Sequence, residues 1–301
     1  MQTVQRVNSD GVELAVYSWG KPGGIPLLLV HGYPDSHHTW LPLIEQLKDD
    51  FQLFAYDVRG FGASDKPAGN AAYRLPQLGR DLRAVVRAVS PDRPVHLIAH
   101  DWGSIQSWEA VCEPHSTDFL ASYTSLSGPC LDHVGHWLRQ RLRQPSLRAW
   151  GEACGQLLHS WYVLLFHLPW LPELTWRLGL ARVWHRLIGR LEGVQPALNP
   201  SQLSDAIHGI RLYRANFIRS LFKPRQRHTR VPVQLVIPTR DLFVRPQLFD
   251  GLQHWTDALT VREIPAGHWQ LLSQPQQLAA WVGEFARQQD SRAPQRQAEP
   301  A

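Results

Sequence analysis

A chain of 301 residues with 44% hydrophobic and 19% charged residues is globular in composition and long enough to bury a sizeable core, which excludes a disordered or fibrous protein. Its three cysteines, Cys112, Cys130 and Cys154, form neither a metal-binding spacing nor a disulfide framework, which suits a reducing compartment. The net charge is +5, with arginine concentrated between Arg139 and Arg230 and interleaved with Trp137, Trp150, Trp161, Trp170, Trp176 and Trp184. This basic, Trp-rich stretch reads as the solvated face of a covering domain over a Trp-lined pocket rather than as a nucleic-acid footprint. Contact with a membrane surface is the alternative kept beside it. Residues 1–10 are polar and lack the apolar centre of a secretory signal. The most apolar stretch, 161–171, is too short to span a bilayer, and His167 and Pro169 interrupt it. A cytoplasmic location is expected.

In chain order, residues 12–18 alternate apolar and polar, as an edge strand does. Residues 26–30 form a short apolar run ending at His31 and predict a buried strand. Another strand is predicted at 51–58, ending at the turn Arg59-Gly60-Phe61-Gly62. Residues 75–89 carry apolar positions at helical spacing. The run 94–100 reads as a buried strand leading directly into Asp101, with a helix pattern over 103–112 and a further strand over 119–126. From 129 to 224 only helical segments follow, broken by Pro and Gly. Strand character returns at 233–237 and 259–264. Strands alternating with helices predict a mostly parallel sheet covered on both faces. The expected organisation is an α/β core (1–128 and 225–287), an inserted helical domain (129–224) and a disordered tail (288–301) rich in Gln, Arg, Ala and Pro.

The chemistry is concentrated in four short segments. Ala99-His100-Asp101-Trp102-Gly103-Ser104 joins a buried strand to a helix, and a sharp turn there exposes its central side chain when small residues flank it. That central residue is Asp101. A carboxylate is ionised already and attacks carbon without a base, beside a helix N-terminus that favours negative charge. An Asp at this place also suits a plain helix cap. His31-Gly32-Tyr33-Pro34 follows the 26–30 strand, where a loop offers one backbone N–H to an oxyanion while the residue after the nucleophile offers the other. Those residues are Tyr33 and Trp102. Ala266-Gly267-His268-Trp269 follows the last strand and places His268 as a general base. Asp241, at the end of the 233–237 strand, is placed to orient it, with Asp132 as the rival acid. The adjacent His37 and His38 match no metal spacing and are given no role.

These segments resemble the epoxide hydrolases of the α/β-hydrolase fold, with haloalkane dehalogenases as close relatives. His31-Gly32-Tyr33-Pro34 resembles that family's HGxP motif. Residues Asp57-Val58-Arg59-Gly60-Phe61-Gly62-Ala63-Ser64-Asp65-Lys66-Pro67 resemble its D-x-R-G-[FY]-G-x-S-[DS]-x-P stretch, and His100-Asp101-Trp102-Gly103 its nucleophile elbow. The resemblance covers the chain to about Arg287. It implies an eight-stranded α/β-hydrolase sheet, with the helical insertion as a cap domain. Segments 160–166 and 212–217 resemble those carrying the two cap tyrosines that hold and protonate an epoxide oxygen, which implies that role for Tyr162 and Tyr213. His31, Pro34 and Trp269 are expected to line the substrate pocket. The implied substrates are a small hydrophobic epoxide and water, with no cofactor or metal required. Position 33 is Tyr where dehalogenases carry a halide-binding Asn, which favours epoxide over halide, although Trp102 suits both. Two further alternatives stand: a non-catalytic binding module, and a lipid-surface protein built on the same fold.

Overall fold

The computed structural model describes residues 3–296. It opens with a hairpin of β1 (Thr3–Ser9) and β2 (Val12–Gly20), turned at Asp10 and Gly11, both at positive φ. Such a pair gives a tight turn whose twist matches that of the flanking strands. The chain continues through β3 (Ile25–Val30), α1 (Leu41–Leu47), β4 (Phe51–Tyr56), α2 (Leu75–Val89), β5 (Val95–His100), α3 (Trp102–Val111) and β6 (Leu120–Leu126). Six inserted helices follow: α4 (Leu131–Arg143), α5 (Leu147–His159), α6 (Trp161–His167), α7 (Leu171–Thr175), α8 (Ala181–Glu192) and α9 (Gln202–Phe222). The chain then returns to the sheet with β7 (Val233–Pro238) and β8 (Leu259–Ile264), and closes with α10 (Gln270–Ser273) and α11 (Pro275–Arg296).

The eight strands form one sheet in the order β1-β2-β4-β3-β5-β6-β7-β8. The pairs β1–β2 and β2–β4 are antiparallel and every other pair is parallel, so the sheet is mostly parallel, as expected. The strand predicted at 12–18 is not the edge, because β1 pairs along its whole length. The polar sequence of β1 conceals it, since the strand packs by one face only.

Strand alternation divides the core in two. Leu28 and Val30 of β3 join Leu78, Leu82 and Val85 of α2 on one face. Leu27 and Leu29 join Leu43 of α1 and Leu278 of α11 on the other. On α2 the buried residues Leu75, Leu78, Leu82, Val85 and Val86 recur three and four apart, the spacing that first predicted this helix. Each such side chain contributes roughly 1.5–3 kcal/mol by leaving water.

The disordered tail expected from Gln288 is corrected over part of its length. Helix α11 continues to Arg296, with Gln289 buried and Asp290 paired to Arg93 at 2.8 Å. The Gln, Arg and Ala composition that suggested disorder is also that of strong helix formers. Positions 297–301 lie outside the described residues.

Candidate active site

Every candidate catalytic side chain of the sheet follows the carboxyl end of a parallel strand. Asp101 follows β5, Asp241 follows β7, and His268 lies beyond β8. This is where side chains of an open α/β sheet converge on one crevice. Asp101 sits at φ 51°, ψ −123°, a conformation that costs a non-glycine residue about 1–3 kcal/mol and persists only where its surroundings enforce it. The surroundings are tight. A Cβ on Gly103 would overlap the Val30 carbonyl oxygen, and one on Gly128 would overlap the Asp101 carbonyl oxygen. Ala99 and Ser104 are fully buried, and the Ser104 hydroxyl donates to the Gly128 carbonyl at 2.6 Å, tying α3 to the end of β6.

The Asp101 carboxylate is divided between two partners. Its Oδ2 accepts from the Trp102 backbone N–H at 2.6 Å, and its Oδ1 lies 3.7 Å from His268 Nε2. The His31–Pro34 loop lies against it. A Cβ on Gly32 would be 2.5 Å from Asp101 Cβ, so only glycine permits the approach that brings the next residue, Tyr33, to Asp101. Burial pushes the Asp101 carboxyl above the usual carboxylate range, although His268 and the Trp102 N–H favour its charge.

His268 donates from Nδ1 to Asp241 Oδ2 at 2.8 Å, which leaves Nε2 facing Asp101. The other Asp241 oxygen accepts from the Phe243 and Val244 N–H groups at 2.7 and 3.0 Å. Burial would raise the Asp241 carboxyl, but His268 and these amides outweigh it and hold it low. Burial likewise opposes charge on His268, yet Asp241 and Asp101 lift it to about 10. The resting imidazole is therefore an imidazolium between two carboxylates. Its folded value stands above the unfolded value, near 6.5. The stability it contributes is thus complete below pH 6.5 and is lost as pH rises through about 10. Thermal melts from pH 7 to pH 10.5 should show a larger fall in Tm for the wild type than for His268→Gln, whose site carries no such proton.

A cavity of about 770 Å³ opens over Asp101 and His268. Its wall includes Tyr33, Pro34, Trp102, Tyr162, Tyr213 and Trp269, and most of its remaining lining is aliphatic or aromatic. Tyr213 stands edge-on to Trp102 and to Tyr33, with ring centroids 4.8 and 5.3 Å apart, and Tyr162 meets Tyr213 at 6.1 Å. The helix that carries Tyr213 is pinned to the core on both sides of it. Asp205 accepts from the Gly62 N–H at 2.9 Å, and Asn216 bridges the Tyr73 carbonyl and the Leu75 N–H at 2.9 and 3.0 Å. Arg214 donates to the Phe166 carbonyl at 2.7 Å and so couples α6, which carries Tyr162, to α9. Burial raises both phenols above their ordinary range, and the Asp101 charge adds to the effect.

One expectation changes. His31 does not line the cavity: its Nδ1 donates to the Gly32 carbonyl at 2.9 Å and its Nε2 accepts from the Val58 N–H at 3.0 Å. Burial lowers it to about 4, so it stays neutral and braces the loop. Asp132 is bound to Arg225 and Arg227 and takes no part in orienting His268. His37, assigned no role, donates from Nδ1 to buried Asp57 at 2.8 Å, while Asp57 also accepts from the Ala63 N–H at 2.9 Å. The Asp57 motif thus shapes the loop whose Gly62 holds α9.

Sequence reading passed over Asp35 and Phe243. Asp35 is buried, accepts from Trp269 Nε1 at 3.0 Å, and is raised by burial to about 7. The Phe243 ring stands edge-on to His268 at 5.1 Å. Their positions, just after Pro34 and just after Asp241, were the only available signal. Among the described residues no His, Cys, Asp and Glu cluster could hold a metal ion.

A family model described as alpha/beta hydrolase fold matches residues 25–275. A Mycobacterium tuberculosis protein named "Probable oxidoreductase EphD" is 38% identical over 294 residues, covering 95% of this chain and 50% of that protein. The chain therefore spans about half the length of that relative. "Epoxide hydrolase 3" of Mus musculus is 24% identical over 303 residues, covering 94% of this chain and 76% of that one. Among solved structures, a single-site mutant of an epoxide hydrolase from Bacillus megaterium superposes with a TM-score of 0.78 at 22% identity, covering 94% of this chain and all of that one.

Proposed function

The chain belongs to the α/β-hydrolase fold family, and on that premise we propose that it opens epoxides to vicinal diols through a covalent ester on Asp101. One observation carries the proposal. A carboxylate occupies the strained elbow, with one oxygen on a backbone N–H, the other toward an Asp-paired histidine, and two tyrosines in the same apolar cavity. Relatives named epoxide hydrolases support the substrate class.

On this reading the two Asp101 oxygens divide the labour. Oδ1, which faces His268 Nε2 at 3.7 Å, attacks the epoxide carbon as the ring C–O bond breaks, and the alkoxide takes a proton from Tyr213 or Tyr162. Oδ2 remains on the Trp102 N–H as the ester carbonyl oxygen. Esterification removes one of the two anions that hold the His268 proton, so the imidazolium returns a proton to the tyrosinate and becomes a neutral base. It then deprotonates a water that attacks the ester carbonyl carbon. The charge that develops on Oδ2 is met by the Trp102 and Tyr33 N–H groups. Collapse breaks the acyl–oxygen bond, and His268 gives its proton to the departing diol oxygen. The Asp101 acid then passes its own proton to His268, restoring the resting pair.

Tyr213→Phe should slow ester formation by roughly 10²-fold, and Tyr162→Phe/Tyr213→Phe by more, the range for loss of a positioned proton donor. Single-turnover kinetics read this directly, because hydrolysis of the ester does not use the phenols. The substrate class is tested by incubating the protein with aromatic and long-chain epoxides alongside bromoalkanes. Diol supports the proposal; halide release without diol would make the chain a dehalogenase in function.

A further inference from the structure

The net charge of the chain is concentrated in the helical segment 129–224. That segment holds twelve Lys and Arg against five Asp and Glu, while the rest holds nineteen against twenty-one. Exposed apolar side chains gather in the same place. Of 22 large hydrophobic residues with well-exposed surfaces among the described residues, nineteen lie between Leu142 and Phe222. Soluble surfaces scatter such residues singly, and their concentration marks an interaction site.

Their arrangement is specific. Across 153–176 the only charged residue is Glu173, and its carboxylate is occupied by Arg214. Within this stretch Leu158, Leu164 and Trp170 are 74%, 75% and 82% exposed. Trp170 sits at φ 59°, a left-handed conformation unfavourable for a bulky residue, and it presents its indole to solvent instead of packing it. Exposed cations flank the stretch on both sides. Among the described residues Arg143 before it, and Arg177, Arg182, Arg186 and Arg190 after it, have no carboxylate partner. An exposed apolar stretch with tryptophans, bordered along the chain by unpaired cations, is complementary to an anionic lipid surface, where acyl chains take the apolar side chains and headgroups take the arginines. No helix among the described residues is long and apolar enough to cross a membrane, so the contact is interfacial.

We propose that this face of the inserted helices docks onto anionic bilayers. The basic, Trp-rich segment, expected as a solvated face over a pocket, holds two sets of tryptophans. Trp176 is indeed buried at the cavity, but Trp150, Trp161 and Trp170 point outward. The cavity reaches the same face, because Leu157, Trp161, Leu164 and Phe222 are both well exposed and part of its lining. On the epoxide reading, an apolar substrate would pass from lipid to Asp101 without crossing water.

Sedimentation with two vesicle types tests the docking. The wild type should pellet with vesicles of phosphatidylcholine and phosphatidylglycerol in equal parts, and at least about tenfold more weakly with phosphatidylcholine alone. High salt should reduce the binding. Leu178, just past the stretch, is 78% exposed, and Trp170→Glu/Leu178→Glu should abolish pelleting while its thermal melt matches the wild type. Arg182→Glu/Arg186→Glu should lose the preference for anionic lipid but keep its fold. Wild type left in the supernatant with both vesicle types would overturn the proposal, as would pelleting that neither double variant reduces. A dimer in analytical ultracentrifugation that Trp170→Glu/Leu178→Glu dissociates, without vesicle binding, would assign the face to a second copy instead. The readout needs no turnover, so failure of docking and failure of the epoxide reading are separable.

Discussion

Asp101→Ala should abolish diol formation, with a loss on the order of 10⁴-fold or more, the scale seen when a covalent nucleophile is removed. Among the described residues no other carboxylate lines the cavity. Asp241 is enclosed by His268 and two backbone amides, and Asp35 has its carboxyl on Trp269 and carries a proton for much of its time near neutral pH. Steady-state turnover of any epoxide the wild type accepts checks the loss. Burial disfavours the Asp101 charge, so removing the carboxylate relieves the crevice where that group is ionised, and the variant should melt no lower than the wild type at neutral pH. Its inactivity would then be chemical. Retained turnover would place the nucleophile elsewhere.

His268→Gln should separate the two half-reactions. Asp101 keeps its Trp102 N–H and its path to the substrate, so the ester still forms. The base that activates water is gone, so the ester persists. One equivalent of epoxide should be consumed in a burst, followed by turnover slowed on the order of 10³-fold or more. Intact-mass spectrometry should show the protein heavier by one substrate. Asp241→Asn should behave as a milder version. The histidine remains but loses the charge that fixes its tautomer and lifts it to about 10, so its titration should move toward the ordinary range near 6.5.

How far the sequence could be read depended on whether a local pattern had one physical meaning. The elbow was legible because its parts are required together: a buried strand, small residues at Ala99 and Gly103, and a helix after Asp101. The close contacts of Gly103 and Gly32 show why those residues cannot be larger. Asp241 and His268 were legible because each follows a strand end, and parallel strands deliver their ends to one crevice. The first hairpin was missed despite its Asp10-Gly11 turn, because attention to hydrophobic runs overlooked a strand that packs by one face. His31 was assigned to the pocket by adjacency alone. Its ring turns to Gly32 and Val58, a choice set by backbone partners that no local pattern encodes. Asp35 was invisible for a similar reason, since its partner Trp269 lies 234 residues away. The tail failed through composition, where Gln, Arg and Ala serve helix and disorder alike. The Trp-rich stretch concealed two populations, one turned into the cavity and one turned out, and only the fold separates them.

The central claim is that the oxygen delivered to the substrate comes from Asp101 and not directly from water. A single turnover of excess wild-type protein in H₂¹⁸O distinguishes the two. The ester route predicts a diol free of ¹⁸O and an Asp101-containing peptide heavier by one ¹⁸O atom. A diol carrying ¹⁸O, with an unlabelled Asp101 peptide, would mean direct attack by water and would contradict the account.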